Sequence, residues 1–317
     1  MPPEGIVLPT SRTWAHDSIG VGAPATEWYL TEGSTAGGDE MWVLLQNPTG
    51  TAASVTLTYV TATATRNISD SIPANSRKSF RASDAFPETR GVSVKVKSNQ
   101  PVVAEKAVYG NHRTWGHDSV GISTPATEWY LAEGCTAPGF ETWVLVQNPN
   151  DKTAKVSLTY MTSKGTVTGP SVTIPPRSRK TFEVAKTVSN EYNVSTKVTS
   201  DQPVVAERAM YGNNRTWAHD SVGVSEPGNT WYLAEGCTLR EIETWVLVQN
   251  PNATRAAIAI TYMTPNGPRE GPSVYVPANS RMTFNVADAV NLCSDVSTKV
   301  TSDSNVVVER AMYGDPK

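Results

Sequence analysis

The sequence lacks a surplus of either charge, a long apolar run and a recognisable leader. Its 317 residues include 27 Lys and Arg against 30 Asp and Glu, without any basic run. This balance argues against a nucleic acid or an anionic membrane surface as the partner. No stretch reaches the roughly 18 apolar residues of a membrane-spanning helix, so we expect no membrane span. The first residues lack the basic and apolar regions of a signal peptide, which indicates a mature or excised fragment.

Cysteine is also scarce, with three residues in the chain. Cys135 and Cys237 occupy equivalent positions of two internal repeats, and such positions lie farther apart than the roughly 4.4–6.8 Å between the Cα atoms of a disulfide. A bond between Cys237 and Cys293 is geometrically feasible, but the second repeat has Glu191 in place of Cys293. We therefore favour free, small, buried thiols over a disulfide.

Tandem repetition is the strongest signal in the sequence, and it divides the chain into three copies. The motif Arg-Thr-Trp-x-His-Asp-Ser places Trp14, Trp115 and Trp217 at intervals of 101 and 102 residues. The motifs Trp-Tyr-Leu-x-Glu-Gly and Trp-Val-Leu-x-Gln-Asn-Pro recur at the same intervals, and all nine tryptophans fall in these three motifs. We therefore predict domains at residues 1–110, 111–212 and 213–317.

Within each copy, short apolar stretches alternate with turn residues, a spacing typical of a β-sandwich rather than of βαβ units. We expect an all-β protein of three tandem immunoglobulin-like or fibronectin-like antiparallel β-sandwich domains in a linear array. Because two or three residues separate one copy's last strand from the next motif, neighbouring domains should abut and the array should be stiff. In the second copy the pattern predicts strands at 113–122, 128–133, 141–147, 154–161, 171–174, 178–184, 194–200 and 204–211.

These motifs resemble those of a family of large secreted or cell-surface bacterial proteins built from tandem domains. The shared features are WYLAEG, W-V-L-x-QNP and a closing V-x-ER-A-M-Y strand, and they extend over nearly the whole chain three times. The first copy departs from the pattern at Lys106, where the family has Arg. The resemblance implies an extracellular or cell-surface β-sandwich array of uncharacterised function, without catalytic activity.

The three His-Asp-Ser sequences contain the residue types of a hydrolase triad. Triad members must converge in space, whereas neighbouring residues of a strand point to opposite faces. No Gly-x-Ser-x-Gly elbow surrounds these serines. We therefore predict a non-enzymatic protein in which the motif makes contacts between domains or with a partner. The candidate contact residues in this motif are Trp14, His16, Asp17, Trp115, His117, Asp118, Trp217, His219 and Asp220.

No metal or cofactor is expected, because each copy has one recurring His and no Cys/His pair at ligand spacing. Calcium at the domain joints is a minority alternative. Asp17, Asp118 and Asp220 recur there and could supply oxygen ligands, but no Asp-rich loop like that of an EF-hand accompanies them.

Aromatic residues suggest a second kind of surface. Trp42, Trp143 and Trp245 stand in strongly apolar strands and are expected in the core. The Trp-Tyr pairs are less decided, because adjacent strand residues face opposite ways and one of each pair could contact a neighbouring domain or a glycan. The candidate glycan contacts are Trp28, Tyr29, Trp129, Tyr130, Trp231 and Tyr232.

The closing strand of each copy carries a Glu followed by a cation in otherwise apolar surroundings. We interpret these charges as ion pairs made with a neighbouring strand or domain, since apolar strands tolerate paired charges. They complete the candidate contacts between domains or with a partner: Glu105, Glu207, Arg208, Glu309 and Arg310.

Taken together, these features predict a stalk, spacer, matrix or filament segment that associates with itself or with other surface proteins. One alternative is a glycan-binding or adhesive module that uses the Trp-Tyr pairs. A more remote alternative is a hydrolase that uses the His-Asp-Ser motif.

Overall fold

The computed structural model describes residues 18–314, which form three tandem antiparallel β-sandwich domains in a linear array. The fold class predicted from the sequence is confirmed. None of the helices in the described residues is long and apolar enough to cross a membrane. All three cysteines carry free thiols, and Cys135 is buried.

The elements of the first domain follow one another with short connections. They are β1 (Ala25–Leu30), β2 (Glu40–Asn47), β3 (Ala53–Val60), β4 (Thr65–Ile72), β5 (Ser76–Arg81), a 3₁₀ helix (Ala82–Asp84) and β6 (Ser93–Gly110).

The second copy repeats this order after one additional strand. Its elements are β7 (Trp115–Val120), β8 (Ala126–Leu131), β9 (Phe140–Asn148), β10 (Ala154–Thr162), β11 (Gly165–Ile174), β12 (Ser178–Glu183), a 3₁₀ helix (Val184–Lys186) and β13 (Val194–Gly212).

The third copy has the same succession of elements. They are β14 (Trp217–Val222), β15 (Gly228–Leu233), β16 (Ile242–Asn250), β17 (Ala256–Thr264), β18 (Gly267–Val276), β19 (Ser280–Asn285), a 3₁₀ helix (Val286–Asp288) and β20 (Ser297–Gly314).

One long strand belongs to both layers of each sandwich. The first half of β6 pairs with β1 and β3, and its second half pairs with β2 and β7. β4 and β5 lie at the outer edges, beside β3 and β2. Apolar side chains from both layers fill the space between them, because alternate residues of each strand point inward.

This long strand corrects the prediction that the segments 194–200 and 204–211 are separate. In β13 they form one strand, and its pairing with β8 shifts register between Thr199 and Val204. Pro203 lies at this shift, where the strand passes from one layer to the other. Its missing N–H therefore removes no ladder hydrogen bond, and the strand continues through the proline.

The motif strands β7 and β14 each complete the domain that precedes them. β7 pairs with β6 and β14 pairs with β13, each through a tight hairpin. In the first hairpin Asn111, His112 and Arg113 adopt left-handed backbone conformations. The predicted boundary after residue 110 falls within this turn, so the two domains share the hairpin. Among residues 18–314, no strand takes the corresponding place beside β20.

The tryptophans of the QNP strands were expected in the core of each domain, and the structure shows that this prediction is wrong. Trp42, Trp143 and Trp245 are half-buried, because their neighbours on each side along the strand point into the sandwich instead. Trp143 packs against the core of the first domain rather than its own. This outward face of the sheet is therefore the one that meets the neighbouring domain.

Candidate inter-domain site

Two equivalent joints connect the three domains. Joint 1, between the first and second domains, is the set of contacts around Lys106 and Glu207. Joint 2, between the second and third domains, is the set around Arg208 and Glu309. In both, the closing strand of one domain presents a cation to carboxylates of its own domain and of the next.

Lys106 is fully buried at the centre of joint 1. Its Nζ lies 3.1 Å from Glu32 Oε2 and 3.1 Å from Glu207 Oε1, and it also donates to Asp220 Oδ2. Burial disfavours the ammonium form, but these carboxylates outweigh that effect and hold the pKa of Lys106 well above its ordinary value. A fixed arrangement of charges thus joins the two domains.

The motif strand β7 contributes two side chains to joint 1 from one face. His117 Nδ1 lies 3.0 Å from Asp220 Oδ1, and Ser119 Oγ donates to Glu207 Oε1 at 2.6 Å. Asp118, between them in sequence, is on the opposite face, as strand alternation requires. His117 therefore pairs with the aspartate of the next motif strand, and its neighbour Ser119 binds a different carboxylate.

Glu207 is held by backbone donors of the first domain. The N–H groups of Thr31 and Glu32 donate to its Oε2 at 3.2 and 2.8 Å. Burial raises the pKa of Glu207 to about 7, against the opposing effect of Lys106. Arg179, also buried, donates to the carbonyl oxygen of Thr31 at 3.3 Å. The loop after β1 is thus a docking surface for two side chains of the second domain.

Joint 2 repeats these contacts with arginine in place of lysine. Arg208 Nη2 lies 2.7 Å from Glu133 Oε2 and 2.6 Å from Glu309 Oε1. The N–H of Glu133 donates to Glu309 Oε2 at 3.0 Å, and Tyr313 Oη donates to Glu133 Oε1 at 2.7 Å. Arg281 takes the place of Arg179. It donates to the backbone oxygen of Gly134 at 2.9 Å.

The two motif histidines differ in their electrostatic surroundings. At His117, burial disfavours the charged ring, but Asp220 and Glu32 outweigh it and the pKa is raised above the ordinary value. At His219, burial prevails and the pKa is lowered, with Arg208 adding to the effect. The difference follows from Asp220, which touches His117 and has no counterpart beside His219 among the described residues.

Apolar contacts accompany the charges at each joint. Leu145, Ala209 and Tyr211 of the second domain belong to the same buried cluster as the first domain's core. At joint 2, Tyr130 packs against Val307 of the third domain. The hydrophobic core is therefore continuous across joint 1, and the central cation of each joint is fully buried.

The structure brings most of the candidate contact residues into the joints. His117, Glu207, Arg208, His219, Asp220 and Glu309 lie there, and Trp115 is buried in the first domain beside them. Glu105 is half-exposed on the outer side of the first domain, and Arg310 pairs with Glu235 at 2.9 Å on the third. Trp217 is half-buried against Phe140. Trp14, His16 and Asp17 lie outside the described residues.

Most of the candidate glycan contacts have no accessible face. Trp28, Tyr29, Trp129 and Tyr130 are buried. The indole Nε1 of each buried tryptophan donates to a backbone oxygen of the closing strand. Trp231 is half-buried, and only Tyr232 of the six is exposed, at 70%. The tyrosines of the first two pairs instead meet the neighbouring domain, one of the two outcomes that the sequence left open.

Sequence reasoning missed several members of the joints. Glu32 and Arg179 were not singled out, nor were their equivalents Glu133 and Arg281 as contacts between domains. A signal was present, because this Glu precedes the final Gly of every WYLAEG-like motif and this Arg recurs in every copy. A charged residue repeated at a fixed position beside apolar strands indicates a buried pair.

One cluster in joint 1 has the residue types of a metal site. Ligand atoms of Glu32, His117 and Asp220 lie within 4.8 Å of one another. Lys106 contacts both carboxylates, so a cationic side chain already neutralises them. Calcium takes about 6–8 oxygen ligands, and this group offers two carboxylates. Asp118, the other described member of the predicted calcium set, lies on the opposite face of β7.

Comparisons with known proteins give a family and distant structural likenesses. The model of a family of unknown function, DUF5719, matches residues 21–109 and 115–208 in tandem. No curated protein sequence matches the chain. Thermotoga maritima 1070 is similar at 21% identity and a TM-score of 0.30, over 32% of this chain and 94% of that one. The Anabaena sensory rhodopsin transducer is similar at 25% identity and a TM-score of 0.25, over 27% of this chain and 98% of that one.

Proposed function

The chain belongs to the family of unknown function DUF5719, and we propose that it is a non-enzymatic structural module, a stiff segment of an extracellular rod on a bacterial cell surface. Its role is to hold something at a distance or to form part of a stalk, matrix or filament. The extracellular location and bacterial origin rest on the sequence motifs.

The observation that carries this proposal is the burial of charged side chains at both joints. Lys106 and Arg208 are fully buried, each with carboxylates from two domains. Breaking such a pair leaves an uncompensated buried charge, which costs about 3–5 kcal/mol. Neighbouring domains therefore have one preferred orientation, as a rod requires and a flexible tether does not.

Small-angle X-ray scattering of dilute protein tests the stiffness. We expect the wild type to scatter as one elongated rigid particle. Replacing both acceptors, Glu207→Gln and Glu309→Gln, should give the profile of flexibly linked domains. The matched control, Glu27→Gln with Glu128→Gln, removes surface pairs with Lys side chains and should keep the rigid profile. A flexible profile for the wild type would refute the proposal.

The buried environment of Ser119 supports the non-enzymatic assignment. Ser119 donates to Glu207 rather than to His117, and both acceptor and donor are buried between two domains. A triad needs its histidine within hydrogen-bond reach of the nucleophile and a substrate beside both. We expect no hydrolysis of ester or peptide substrates, and turnover that disappears in His117→Ala would contradict this.

A further inference from the structure

We propose that a second copy of this chain docks onto the third domain by the contacts that join the domains within one chain, so that the protein assembles head to tail. The inference rests on the proposed function of a structural rod and names its partner. Two surfaces take part. The head face comprises Gln46, Arg77, Val103 and Glu105 of the first domain. The tail face comprises Tyr232, Ala234, Glu235 and the outer edge of β20.

The head face is exposed in the first domain and covered in the other two. Arg77 is exposed, whereas the equivalent residues Arg179 and Arg281 are 5% and 2% exposed because each inserts into the preceding domain. Gln46 is exposed and Val103 half-buried, whereas their equivalents in the other two domains are buried. An open groove of about 790 Å³, lined by Arg77, Val103 and Glu105 among others, lies at this face.

The tail face is exposed in the third domain and covered in the first two. Tyr29 and Tyr130 are 6% exposed, whereas Tyr232 is 70% exposed. Tyr130 is covered by Val307 of the next domain and by Val224 after the next motif strand. A second copy would bring Val103 and Val21, the residues equivalent to these two, onto Tyr232. Ala234 and Glu235 are exposed beside it, and their equivalents are buried in both preceding copies.

Among the described residues, the edge of β20 has no counterpart of the motif strand that β6 and β13 carry. β7 pairs with β6 from Glu105 to Gly110, and β14 pairs with β13 from Glu207 to Gly212. The equivalent stretch of β20, from Glu309 to Gly314, has β16 on one side and no strand of residues 18–314 on the other. Residues 12–18 have the same Arg-Thr-Trp-x-His-Asp-Ser sequence as β7 and β14. In a second copy this segment is the occupant we assign to the edge.

Charge complementarity supports the same occupant. In joint 1 the motif aspartate Asp220 lies between Lys106 and His117. In joint 2 no described carboxylate takes that place, and the buried Nε of Arg208 has no hydrogen-bond partner among the described residues. Asp17 of a second copy, aligned as Asp220 is, would reach Arg208 and His219. A buried donor that lacks an acceptor favours binding of a group that supplies one.

Analytical ultracentrifugation over a wide concentration range tests the docking. We expect wild-type mass and length to grow with concentration in steps of one chain. Tyr232→Glu blocks the tail face and Arg77→Glu blocks the head face, and each should weaken association by at least about tenfold, as loss of a central interface residue does. Tyr275→Glu is the matched control, because Tyr275 is 55% exposed away from both faces, and it should associate like the wild type.

Mixing the two blocked variants gives the sharper result. Tyr232→Glu retains an intact head and Arg77→Glu an intact tail, so the mixture should form a dimer of one copy of each and nothing longer. Trp14→Ala should weaken the wild-type assembly by a similar factor. A wild type that stays monomeric at every concentration, or blocked variants that associate as strongly as the control, would overturn the inference. A monomer whose dilute scattering is still rigid would leave the proposed rod intact.

Discussion

Lys106 and Arg208 occupy equivalent positions with different chemistry. The ammonium group of Lys106 is a compact charge that three carboxylates surround. The planar guanidinium of Arg208 instead spans Glu133 and Glu309 through one nitrogen and approaches His219 with another, at 3.3 Å. Arginine is the more rigid donor and lysine the more adaptable one.

Removing the buried lysine should destabilise joint 1 strongly. Lys106→Met leaves Glu32, Glu207 and Asp220 buried without their shared partner, a loss of about 3–5 kcal/mol in the free energy of unfolding. Urea denaturation followed by tryptophan fluorescence measures it. Lys97→Met is the control, because the Lys97 side chain is largely exposed on the same strand, and its stability should be unchanged. A loss below about 1 kcal/mol for Lys106→Met, the value typical of exposed ion pairs, would show that the buried charges of joint 1 do not depend on Lys106.

The two joints should respond to pH in opposite directions. In joint 1, the pKa values of His117 and Glu207 are raised, so the folded joint binds more protons; it loses stability as the pH rises from about 4.5 through about 7 at Glu207, and above about 6.5 at His117. In joint 2, the pKa of His219 is lowered, so stability is lost as the pH falls below about 6.5. Hydrogen exchange of the Glu32 and Glu133 amides, corrected for intrinsic rates, reports on each joint separately. Parallel trends at both amides would contradict the assignment.

At the scale of elements, the closing strands β6 and β13 have similar sequences but different burial. β13 is buried on both faces from Val204 to Gly212, whereas β6 alternates between buried and half-exposed residues. The reason is the neighbour on the outer face: β13 packs against the first domain there, whereas no described domain covers the outer face of β6, where Val103 and Glu105 lie. The charged pair inside an apolar run is thus an interface feature rather than an irregularity of the strand.

The hairpin between β6 and β7 should be sensitive to one added methyl group. A Cβ at Gly110 would lie 1.8 Å from the ring of Trp115, so Gly110→Ala must displace this buried indole. We expect a loss of about 1–3 kcal/mol and an altered near-ultraviolet circular dichroism spectrum. Gly50→Ala, where a Cβ meets nothing within 4 Å, should leave both unchanged. An unaltered spectrum for Gly110→Ala would mean that the Trp115 indole does not pack against Gly110 as the structure shows.

At the scale of the whole molecule, the internal joints act as a template for the two ends. Each domain offers one face to the next and one to the preceding domain, a heterologous contact that does not close on itself. Such contacts extend without limit unless something caps them. The exposed Tyr232 and Arg77 are the two halves of a joint already present twice within the chain.

Head-to-tail assembly should take up a proton at His219. In the isolated chain this ring faces Glu133, Arg208, Glu309 and Tyr313, and its pKa is lowered. A docked Asp17 would make its surroundings like those of His117, whose pKa is raised. Association should therefore be stronger at about pH 6 than at about pH 8, as sedimentation at the two pH values measures. Equal association, or the reverse order, would show that Asp17 does not reach this ring.

The sequence determined the repeat period, the all-β class and the strand alternation that separates His117 from Asp118. These are local properties, because side-chain period and turn chemistry act within a few residues. From them followed the expectation that neighbouring residues of one motif face opposite ways, as His117 and Asp118 do. The charged closing strands were also recognised as paired, though their partners Glu32 and Glu133 were not.

Only the tertiary structure decided which surfaces of the repeats meet. It showed that β7 completes the preceding domain, that β13 continues through Pro203, and that the tyrosines of identical motifs are buried at residue 130 and exposed at residue 232. These outcomes depend on residues about one repeat distant in the chain. A strand's partner and the neighbour on its outer face are set by contacts between domains, which the local pattern of a repeat does not encode.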